Sequence, residues 1–515
     1  MPGEPIQVGP FVGGLNTFSD PTAIADNELV VCENFELDLD GSLKSRPPIE
    51  NLGIDFPLGT TGDIEFLGNF QVSETVSYLL ASDNDSKTYY FNGTAWVLIT
   101  ATIAAAGFVQ FDDKAWLTAH VGSTNPGGYW TPSGGFVADA NMPKGEVIVS
   151  FKGRLWVAEG KDSTNQGTRL YRSRTIADPT LWQVTNDFVD IGTGDGQNIV
   201  QLVVYFNSLL IFRTNSVYGL QYTSDPAAAV VSLILPTVGL NSRYAIAQFE
   251  SYIYFMYDEK AYEFTNSRAA QINVKTPFAS TSTTGWHNNY SVSEFNKRII
   301  FTYFDQMFVY SLQTRSWTKW NSSTFGTLCK MAYRSNTEDK SIVLTHSNVE
   351  VPLGGTRVAP LLQITDEYAA VSETMVCQIQ TKNFNYQASG IYKRLFWWGL
   401  DARFKGTVVG TAVPITQTFT VAWQTLFDTS TTWATMLGFT WQSPTAGTGE
   451  VETSVTESAL TFRRIFVKFL KSLRFRQIYY KVLFTTTGVV ADSPVRLFSL
   501  TTYVNAKQTV SQEIT

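Results

Sequence analysis

The chain has 515 residues, a formal net charge of −7, and 14% aromatic against 16% charged residues. This composition excludes a disordered or coiled-coil protein and favours many short sheets with wide packed faces. The length exceeds what one hydrophobic core usually supports, and a mildly acidic chain has no overall attraction for nucleic acid, so such a contact would need a local basic patch.

The cysteines and the N-terminus give no sign of special chemistry or targeting. Cys32, Cys329 and Cys377 lie far apart without CxxC spacing, which argues against a disulfide framework or a zinc site. Residues 1–16 lack the basic and apolar regions of a secretory signal, and no apolar run has the length of a bilayer span. We therefore expect a soluble protein made in the cytoplasm, without metal or cofactor.

Residues 1–60 are rich in Gly, Pro, Asn and Asp, and we interpret them as a flexible N-terminal arm. Asp26–Phe35 is predicted to form one or two helical turns, because Asp26 is a good N-cap residue and an acidic residue follows in the first turn. Asp40-Gly41 predicts a hairpin turn between the apolar residues Leu39 and Leu43.

Residues 61–365 repeat a short apolar strand, a polar turn and a second strand ending in a pair whose second member is aromatic. A self-similar all-β period of 40 to 50 residues predicts a β-propeller, with one four-stranded sheet per repeat. A weaker last repeat, Ser341–Thr345 with Leu361–Ile364, makes the predicted number of blades six or seven. The aromatic members recur every 40 to 48 residues, at Tyr90, Trp130, Tyr171, Tyr218, Tyr262 and Tyr310.

Within this region four stretches predict β-hairpins, because β-branched and aromatic runs are broken by Gly, Asn, Asp or Ser turns. They are Arg154–Ala158 with Leu170-Tyr171, Leu209–Phe212 with Val217-Tyr218, Tyr252–Tyr257 with Ala261–Phe264, and Arg298–Tyr303 with Met307–Tyr310.

The Gly-rich segment Gly192–Asn198 has an alternative interpretation as a phosphate-binding loop. Such loops need a preceding strand and a following helix, or a Gly-Lys-Ser/Thr ending. Ile199–Tyr205 is β-branched and predicts a strand instead. We therefore interpret the glycines as turn residues that permit positive φ between two blades.

From residue 366 to 515 the pattern changes to longer strands separated by Thr, Gly and Ser loops, which predicts a separate C-terminal β-sandwich. The predicted strands include Met375–Thr381, Lys393–Trp398, Thr418–Trp423 and Val495–Val504.

This last region carries the chain's most basic stretch, interleaved with aromatic residues. Its apolar positions between 462 and 473 fit a helical face, whereas 473–483 alternates like a strand. Contact with DNA phosphate or an anionic surface is one interpretation, and a solvated or subunit-facing strand pair is the preferred one. The basic residues are Arg463, Arg464, Lys468, Lys471, Arg474, Arg476 and Lys481.

Catalysis finds little support. The three histidines, His120, His287 and His346, show no metal-ligand spacing, and no GxSxG elbow or repeated sialidase box is present. A glycosidase needs two carboxylates at a defined separation, which sequence alone cannot bring together. Candidate acids are Asp187, Asp190, Asp195, Asp258, Glu263 and Asp305. We expect a non-enzymatic protein.

Two regions of the sequence resemble tailed-bacteriophage virion proteins of the minor tail or tail-nozzle propeller type. The first is the N-terminal order of a Gly-Gly segment, an Asn-Phe pair and an Arg-Pro exit, and the second comprises Gly153–Ala158, Arg169–Ser173, Asp178–Trp182 and Asp190–Gly196. The N-terminal positions are Gly13, Gly14, Leu15, Asn16, Asn34, Phe35, Gly41, Leu43, Arg46 and Pro47.

The resemblance implies a structural subunit of a phage tail, in the virion, at the tail tip or nozzle around the DNA channel. Its arm residues would contact copies of the chain in a cyclic oligomer and other tail proteins, and DNA in transit or a host receptor are further candidate partners. One alternative is a receptor- or glycan-binding propeller that uses exposed tryptophans, and another is a host-envelope polysaccharide hydrolase. The tryptophans considered are Trp96, Trp182, Trp286, Trp320, Trp433 and Trp441.

Overall fold

The fold is taken from a computed structural model, which describes most of the chain between residues 5 and 506. The described ranges are 5–57, 64–74, 76–83, 87–120, 123–159, 167–174, 178–192, 194–278, 290–303, 306–321, 329–335, 341–346, 358–365, 375–384, 393–404, 416–426, 448–456, 461–475, 477–486 and 495–506.

The described residues form an all-β protein, as the alternating and aromatic-rich patterns predict. Their one helical element is a single 3-10 turn, Pro226–Ala228, in which the Asp225 carboxylate accepts a hydrogen bond from the Ala227 N–H at 2.8 Å. The remaining elements are strands, so the architecture is decided by which strand edges pair.

The N-terminal segment is built of short strands. The predicted helical turns at Asp26–Phe35 are wrong, because Glu28–Glu33 within it is a strand paired on both edges, which outweighs the weak capping signal. The predicted hairpin at Asp40-Gly41 is confirmed, and Leu37 lies opposite Leu43. The strands are β1 (Pro5–Val8), β2 (Gly14–Leu15), β3 (Glu28–Glu33), β4 (Phe35–Leu37), β5 (Leu43–Ser45) and β6 (Ile49–Pro57).

Six four-stranded antiparallel units follow in chain order, and the four predicted hairpins are confirmed within them. Units 1 to 3 are β7 (Ile64–Gln71), β8 (Ser77–Asp83), β9 (Thr88–Phe91), β10 (Trp96–Thr100); β11 (Ala105–Phe111), β12 (Lys114–Ala119), β13 (Gly128–Thr131), β14 (Gly135–Ala138); and β15 (Val147–Phe151), β16 (Arg154–Ala158), β17 (Arg169–Arg172), β18 (Phe188–Asp190). Units 4 to 6 are β19 (Ile199–Tyr205), β20 (Ser208–Arg213), β21 (Val217–Gln221), β22 (Val230–Leu235); β23 (Ile246–Phe249), β24 (Tyr252–Tyr257), β25 (Lys260–Thr265), β26 (Arg268–Gln271); and β27 (Tyr290–Phe295), β28 (Arg298–Tyr303), β29 (Gln306–Ser311), β30 (Trp317–Trp320).

A seventh four-stranded sheet, unit 7, takes its outer strand from the N-terminal segment. It contains β31 (Cys329–Ser335), β32 (Ser341–His346) and β33 (Val358–Thr365), and β33 pairs with β6. The weak last repeat predicted at Ser341–Thr345 and Leu361–Ile364 is an antiparallel pair of strands, β32 and β33. Residues 49–57, assigned to the arm by sequence, are part of this sheet.

The first strands of six of the seven neighbouring pairs of units contact each other in order. Contacts join β7 to β11, β11 to β15, β15 to β19, β23 to β27 and β27 to β31, and β31 contacts β7 again. Phe56 of β6 also packs edge to face on Tyr89 and Trp96 of unit 1, with ring centroids 5.4 and 5.0 Å apart. The described units therefore have β-propeller character, with first strands innermost.

The C-terminal strands form two sheets that they share with the N-terminal segment. One sheet has the order β38-β35-β40-β5-β4, with β1 on β40, and the other continues unit 6 as β30-β3-β34-β39-β36-β37. The helical alternative for residues 462–473 is wrong, because β38 is a strand. The strands are β34 (Met375–Thr381), β35 (Lys393–Phe404), β36 (Thr416–Leu426), β37 (Thr448–Thr456), β38 (Thr461–Phe475), β39 (Gln477–Thr486) and β40 (Val495–Ala506).

Candidate assembly site

Asn34 joins three distant parts of the chain at one point, which we call the Asn34 junction. Its side-chain amide donates to Asn321 Oδ1 at 2.6 Å and to the Val376 carbonyl at 2.7 Å. Its Oδ1 accepts hydrogen bonds from Arg46 Nε and from the Asn321 N–H, both at 2.8 Å. Asn34 has φ 58°, a left-handed conformation that Asn tolerates better than most residues. One side chain thus connects the N-terminal segment, unit 6 and β34.

Arg46 completes the junction from the strand-end of β5. Its side chain is fully buried and donates to Asn34 Oδ1, to the Pro47 carbonyl at 2.7 Å and to the Asn321 carbonyl at 2.6 Å. A planar guanidinium with several donors satisfies three acceptors that a lysine could not reach together. The neighbouring Phe35 is fully buried in the main core cluster.

The Gly-Gly segment lies against unit 6. Gly14 has φ +66°, and a Cβ there would lie 2.8 Å from the Ser316 Cβ, so only glycine fits. Leu15 pairs with Leu29 through the parallel β2–β3 contact and is buried. Gly13 is also tight, because a Cβ there would lie 2.5 Å from Glu28 Cγ.

Asn16 and Glu28 form a buried polar pair beside this segment. Asn16 Nδ2 donates to Glu28 Oε2 at 2.8 Å, and Lys275 Nζ donates to Glu28 Oε1 at 2.6 Å. Burial works to raise the pKa of Glu28, but the hydrogen bonds from Lys275 and Asn16 and a backbone N–H outweigh it and lower the pKa. The carboxylate therefore stays ionised and holds the segment on the linker after unit 5.

The arm residues predicted as assembly contacts therefore meet within their own chain. Gly13, Gly14 and Leu15 contact unit 6 and β3, and Asn16 pairs with Glu28. Asn34 and Arg46 lie in the junction and Phe35 in the core. Sequence reasoning missed their partners, since nothing near Asn321 or Val376 marks them as neighbours of Asn34. Whether the segment also contacts other subunits stays a prediction.

A second polar cluster, the half-buried axial cluster, lies among the innermost strands. Arg243, between β22 and β23, donates to the Ala106 carbonyl of β11 at 2.9 Å and to Glu146 Oε2 at 3.1 Å. It also donates to the carbonyl of Glu65 in β7 at 3.0 Å and pairs with that residue's carboxylate. One side chain therefore holds units 1, 2 and 3 together. No motif around Glu65 or Glu146 in the sequence indicates this contact.

The loop around Arg243 reaches further units. The Arg243 carbonyl accepts a hydrogen bond from Gln201 of β19 at 2.9 Å, and the Tyr244 carbonyl accepts one from the Val292 N–H of β27 at 2.8 Å. Burial raises the pKa of Tyr244, whose hydroxyl donates to the Glu65 carbonyl. Burial opposes the charged form of Arg243, but Tyr244 and the two glutamates raise its pKa above the ordinary value.

The Gly-rich loop surrounds a cation of the chain itself. The fully buried Arg213 donates to Asp195 Oδ2 at 2.7 Å, to the Gly192 carbonyl at 3.0 Å and to the Gln197 carbonyl at 2.6 Å. The segment leads into β19, as predicted, and not into a helix. The phosphate-loop alternative is wrong, because the loop turns carbonyl oxygens toward Arg213. Carbonyl oxygens repel an anion such as phosphate, and the arginine side chain already occupies the space that they enclose.

The basic patch lies on β38 and β39, whose backbones are described. Arg464 lies opposite Asp401 of β35 in the ladder, and Lys481 lies between Gln380 and Ala422. The side chains of these residues, and Arg476 altogether, lie outside the described part of the structure. Arg463, Lys468, Lys471 and Arg474 share β38 with Arg464.

The tryptophans considered as sugar platforms are packed where they are described. Trp182 and Trp320 are 8% and 0% exposed, and Trp96 packs against Phe56. Trp182 and Trp320 therefore present no open ring face for a sugar, while Trp96 is partly exposed. Trp286, Trp433 and Trp441 lie outside the described residues.

Most of the acids considered as catalytic candidates are paired with side chains of the chain itself. Asp187 pairs with Arg172 at 3.2 Å, Asp190 with Arg169 at 2.8 Å, Asp195 with Arg213 at 2.5 Å and Asp258 with Lys260 at 3.9 Å, while Glu263 accepts from Tyr254 at 3.0 Å. His120 lies 3.1 Å from Glu146. The structure does not describe Asp305, His287 or the side chain of His346.

Within the described ranges, no group of three or more His, Cys, Asp and Glu residues is arranged to hold a metal ion. Among those same residues, no helix is long and apolar enough to cross a bilayer.

No family model matches the chain, and no curated protein matches it. Among solved structures, it is similar to the extracellular domain of a one component system from B. thetaiotaomicron, with 11% identity and a TM-score of 0.40 over 66% of this chain and 42% of that one. It is also similar to the Pan2 WD40 domain of Neurospora crassa, with 11% identity and a TM-score of 0.39 over 59% of this chain and 89% of that one.

A third similar structure is PorZ of Porphyromonas gingivalis, a bacterial surface component of the type-IX secretion system, with 10% identity and a TM-score of 0.37 over 67% of this chain and 44% of that one. The chain thus spans less than half the length of the first and third of these structures. None of the three is a phage tail protein.

Proposed function

We propose that the chain is a non-enzymatic structural subunit of a bacteriophage tail, located in the virion at the tail tip or nozzle after synthesis in the host cytoplasm. The observation that carries this proposal is the Asn34 junction. Asn34, Phe35 and Arg46, which carry part of the family resemblance, act there as a clasp between the N-terminal segment, unit 6 and β34. A motif used for internal bracing suits a protein that acts by shape.

In this proposal the seven units are the blades of a closed seven-bladed propeller. Two features support it: β31 of unit 7 contacts β7 of unit 1, and the Arg243–Tyr244 loop touches the first strands of several units. The C-terminal sheets form a β-sandwich, to which the N-terminal strands β1, β3, β4 and β5 also belong. Residues 1–60 are then a clasp divided between two bodies, residues 61–365 the blades and residues 366–515 the sandwich.

The clasp gives the subunit one mechanical property that a tail part needs. Because β3 pairs with β30 on one edge and β34 on the other, unit 6 and the C-terminal sheet form one continuous sheet. A force on the sandwich is therefore transmitted to the propeller through backbone hydrogen bonds. Copies of the chain in a cyclic oligomer, with other tail proteins, would surround or close the DNA channel.

The glycan-binding alternative is less well supported. Trp182 and Trp320 pack inside the units and cannot stack on a sugar ring. The envelope-hydrolase alternative would need two carboxylates free to act, and the candidate acids Asp190 and Asp195 are engaged by Arg169 and Arg213.

The test is to locate the protein in purified particles of a phage that encodes it. We expect gold-labelled antibody against the chain to mark the tail end, and the protein to remain with the particles through density-gradient purification. Its absence from the particles would refute the structural proposal. Release of reducing sugar from host envelopes by the purified protein would favour the hydrolase, and a specific signal on a glycan array would favour the receptor-binding alternative.

A further inference from the structure

The two C-terminal sheets end in strands of opposite charge. One sheet ends at β38, which pairs with β35 on one side only, and the other ends at β37, which pairs with β36 on one side only. Within the described ranges, no strand pairs with the outer side of either. The outward N–H and C=O groups of both strands are therefore available to further strands.

These two strands differ in charge from the other outermost strands of the described sheets. β38 carries five cations and no acid, whereas β37 carries Glu450 and Glu452, on one face, and no cation. The outer strands of units 1, 2 and 4 have no charged residue, and those of units 3 and 5 have one each. In unit 7, β6 has Glu50 and Asp55, but these lie five residues apart and so on opposite faces. The strands with several like charges on one face are thus β37 and β38, and their charges are complementary.

The cations of β38 are divided between the two faces of the strand. Their ladder partners on β35 place Arg464 and Lys468 on one face, and Arg463 and Arg474 on the other. Duplex DNA resting on one face of the sheet would meet only half of them. A strand laid beside β38 in the plane of the sheet lies next to both rows. This division favours a protein strand as the partner of the edge.

The charges also decide which strand fits. Opposite charges on neighbouring strands stabilise the pair, and like charges directly opposite destabilise it. Two β38 strands would bring cations together, and two β37 strands would bring glutamates together, so neither edge suits its own copy. The nine residues of β37 match the regular part of β38, Thr461–Lys468, which precedes a bulge in the ladder. A second copy of this chain supplies that complementary strand.

The two edges lie on the same side of the C-terminal sheets. Residues 457–460 alone separate the end of β37 from the start of β38, and five peptide steps span at most about 18 Å. Contacts also join β38 to β36, the neighbour of β37. A two-fold axis parallel to the strands therefore places β38 of each copy beside β37 of the other.

We propose that two copies of this chain pair reciprocally through these edges, in antiparallel orientation, with the position of Glu450 opposite that of Lys468. In this register Glu452 lies diagonally between the positions of Arg464 and Lys468. The contact is self-complementary, because one symmetry operation covers both edges of both copies. This inference rests on the self-association in the proposed function, and it names the surface and the symmetry.

The first measurement is sedimentation of the purified full chain over a wide range of concentrations, at about 50 mM and about 500 mM salt. We expect a monomer–dimer equilibrium that is weaker at the higher salt, because exposed ion pairs are screened. Hydrogen exchange of Thr448–Thr456 and Thr461–Lys468 should be slower in the dimer, since their outward N–H groups become hydrogen bonded.

The test variant is Lys468→Glu, which places like charges opposite each other in both halves of the contact. We expect its dissociation constant to rise about tenfold or more. The double variant Lys468→Glu with Glu450→Lys restores opposite charges and should return to within about threefold of the wild type. A lysine that only stabilises its own sheet would not be rescued in this way.

The matched control is Asp55→Lys, which replaces an acid by lysine on β6, another acidic outer strand. It should leave the dissociation constant unchanged. Loss of the dimer in this control, with Glu450→Lys behaving like the wild type, would make β6 the acidic edge and refute the proposed contact.

The remaining outcomes separate the two levels of the proposal. A wild-type chain that stays monomeric at every concentration overturns self-association and the β37–β38 contact together. Association that Lys468→Glu leaves intact, or that the double variant does not restore, overturns the contact alone. A monomeric chain that binds a duplex oligonucleotide, and loses it in Lys468→Glu, assigns β38 to DNA instead. If Lys468→Glu does not fold, Glu450→Lys makes the same test from the other strand. Absence of the chain from phage particles refutes the tail proposal and leaves a measured β37–β38 pair standing.

Discussion

Replacing Arg243 by methionine is expected to destabilise the propeller from its axis. The substitution keeps an apolar stem of similar length but removes the donors to Ala106 and to both Glu65 and Glu146. The carboxylates would remain, with side chains only 27% and 15% exposed and without the guanidinium, while Glu146 would keep the His120 imidazole at 3.1 Å. The variant therefore loses the ion pairs but still has to keep the two carboxylates largely out of water.

Removing one partner of a buried ion pair costs roughly 3 to 5 kcal/mol, and water reaching Glu65 places this site near the lower figure. About 3 kcal/mol corresponds to a fall in Tm of roughly 5 °C for a propeller of about 300 residues. The measurements are calorimetry and hydrogen exchange of β7, β11 and β15, whose amides should exchange faster.

The control is Arg169→Met, which removes an ion pair with Asp190 at side-chain exposures of 22% and 30% on the outer part of unit 3. It should cost about 1 kcal/mol or less. If Arg243→Met unfolds within 1 °C of this control and the innermost strands exchange as in the wild type, the axial cluster does not hold the units together and the reasoning fails.

Three further predictions concern the N-terminal segment and the tyrosines. Asn34→Ala should lower the free energy of unfolding by roughly 3 kcal/mol in denaturant titration, since it removes four side-chain hydrogen bonds and leaves an alanine at φ 58°. Asn34→Gly should recover about 1 kcal/mol of this loss, because glycine adopts that backbone conformation without strain. Equal losses for the two variants would contradict the backbone argument. Gly14→Ala should cost about 2 kcal/mol because its Cβ would lie 2.8 Å from the Ser316 Cβ, and an unchanged Tm would refute that packing. Burial and the Glu159 carboxylate raise the pKa of Tyr171 to about 12. The contribution of the Tyr171 hydroxyl to stability is therefore complete below pH 10 and is lost as the pH rises toward 12. Tyr171→Phe should show a shallower loss of Tm at alkaline pH than the wild type, and an identical slope would contradict this prediction.

The strands and hairpins were predictable because their signals are local. Residues such as Leu209–Phe212 and Val217-Tyr218 carry β-branched and aromatic side chains on both sides of a polar turn, and such pairs close within a few residues. The same locality explains the two errors. Asp26–Phe35 and residues 462–473 have patterns compatible with a helix, but pairing with distant strands gives them extended structure.

The candidate site was predictable in its residues and not in its partners. The glycines, Asn34 and Arg46 stand out in the sequence, yet Asn34 lies 342 residues from the Val376 carbonyl that it contacts. The axial cluster gave no signal, because Glu65, Glu146 and Arg243 come from three different repeats.

The sequence by itself determined an all-β chain of repeated hairpins, because alternation, turn residues and repeat length are properties of short stretches. Only the tertiary structure decided that β6 completes unit 7, that β3 joins unit 6 to the C-terminal sheet, and that one arginine serves three units. Those choices depend on which strand edges and buried charges meet once the chain has folded back on itself, and no short stretch contains that information.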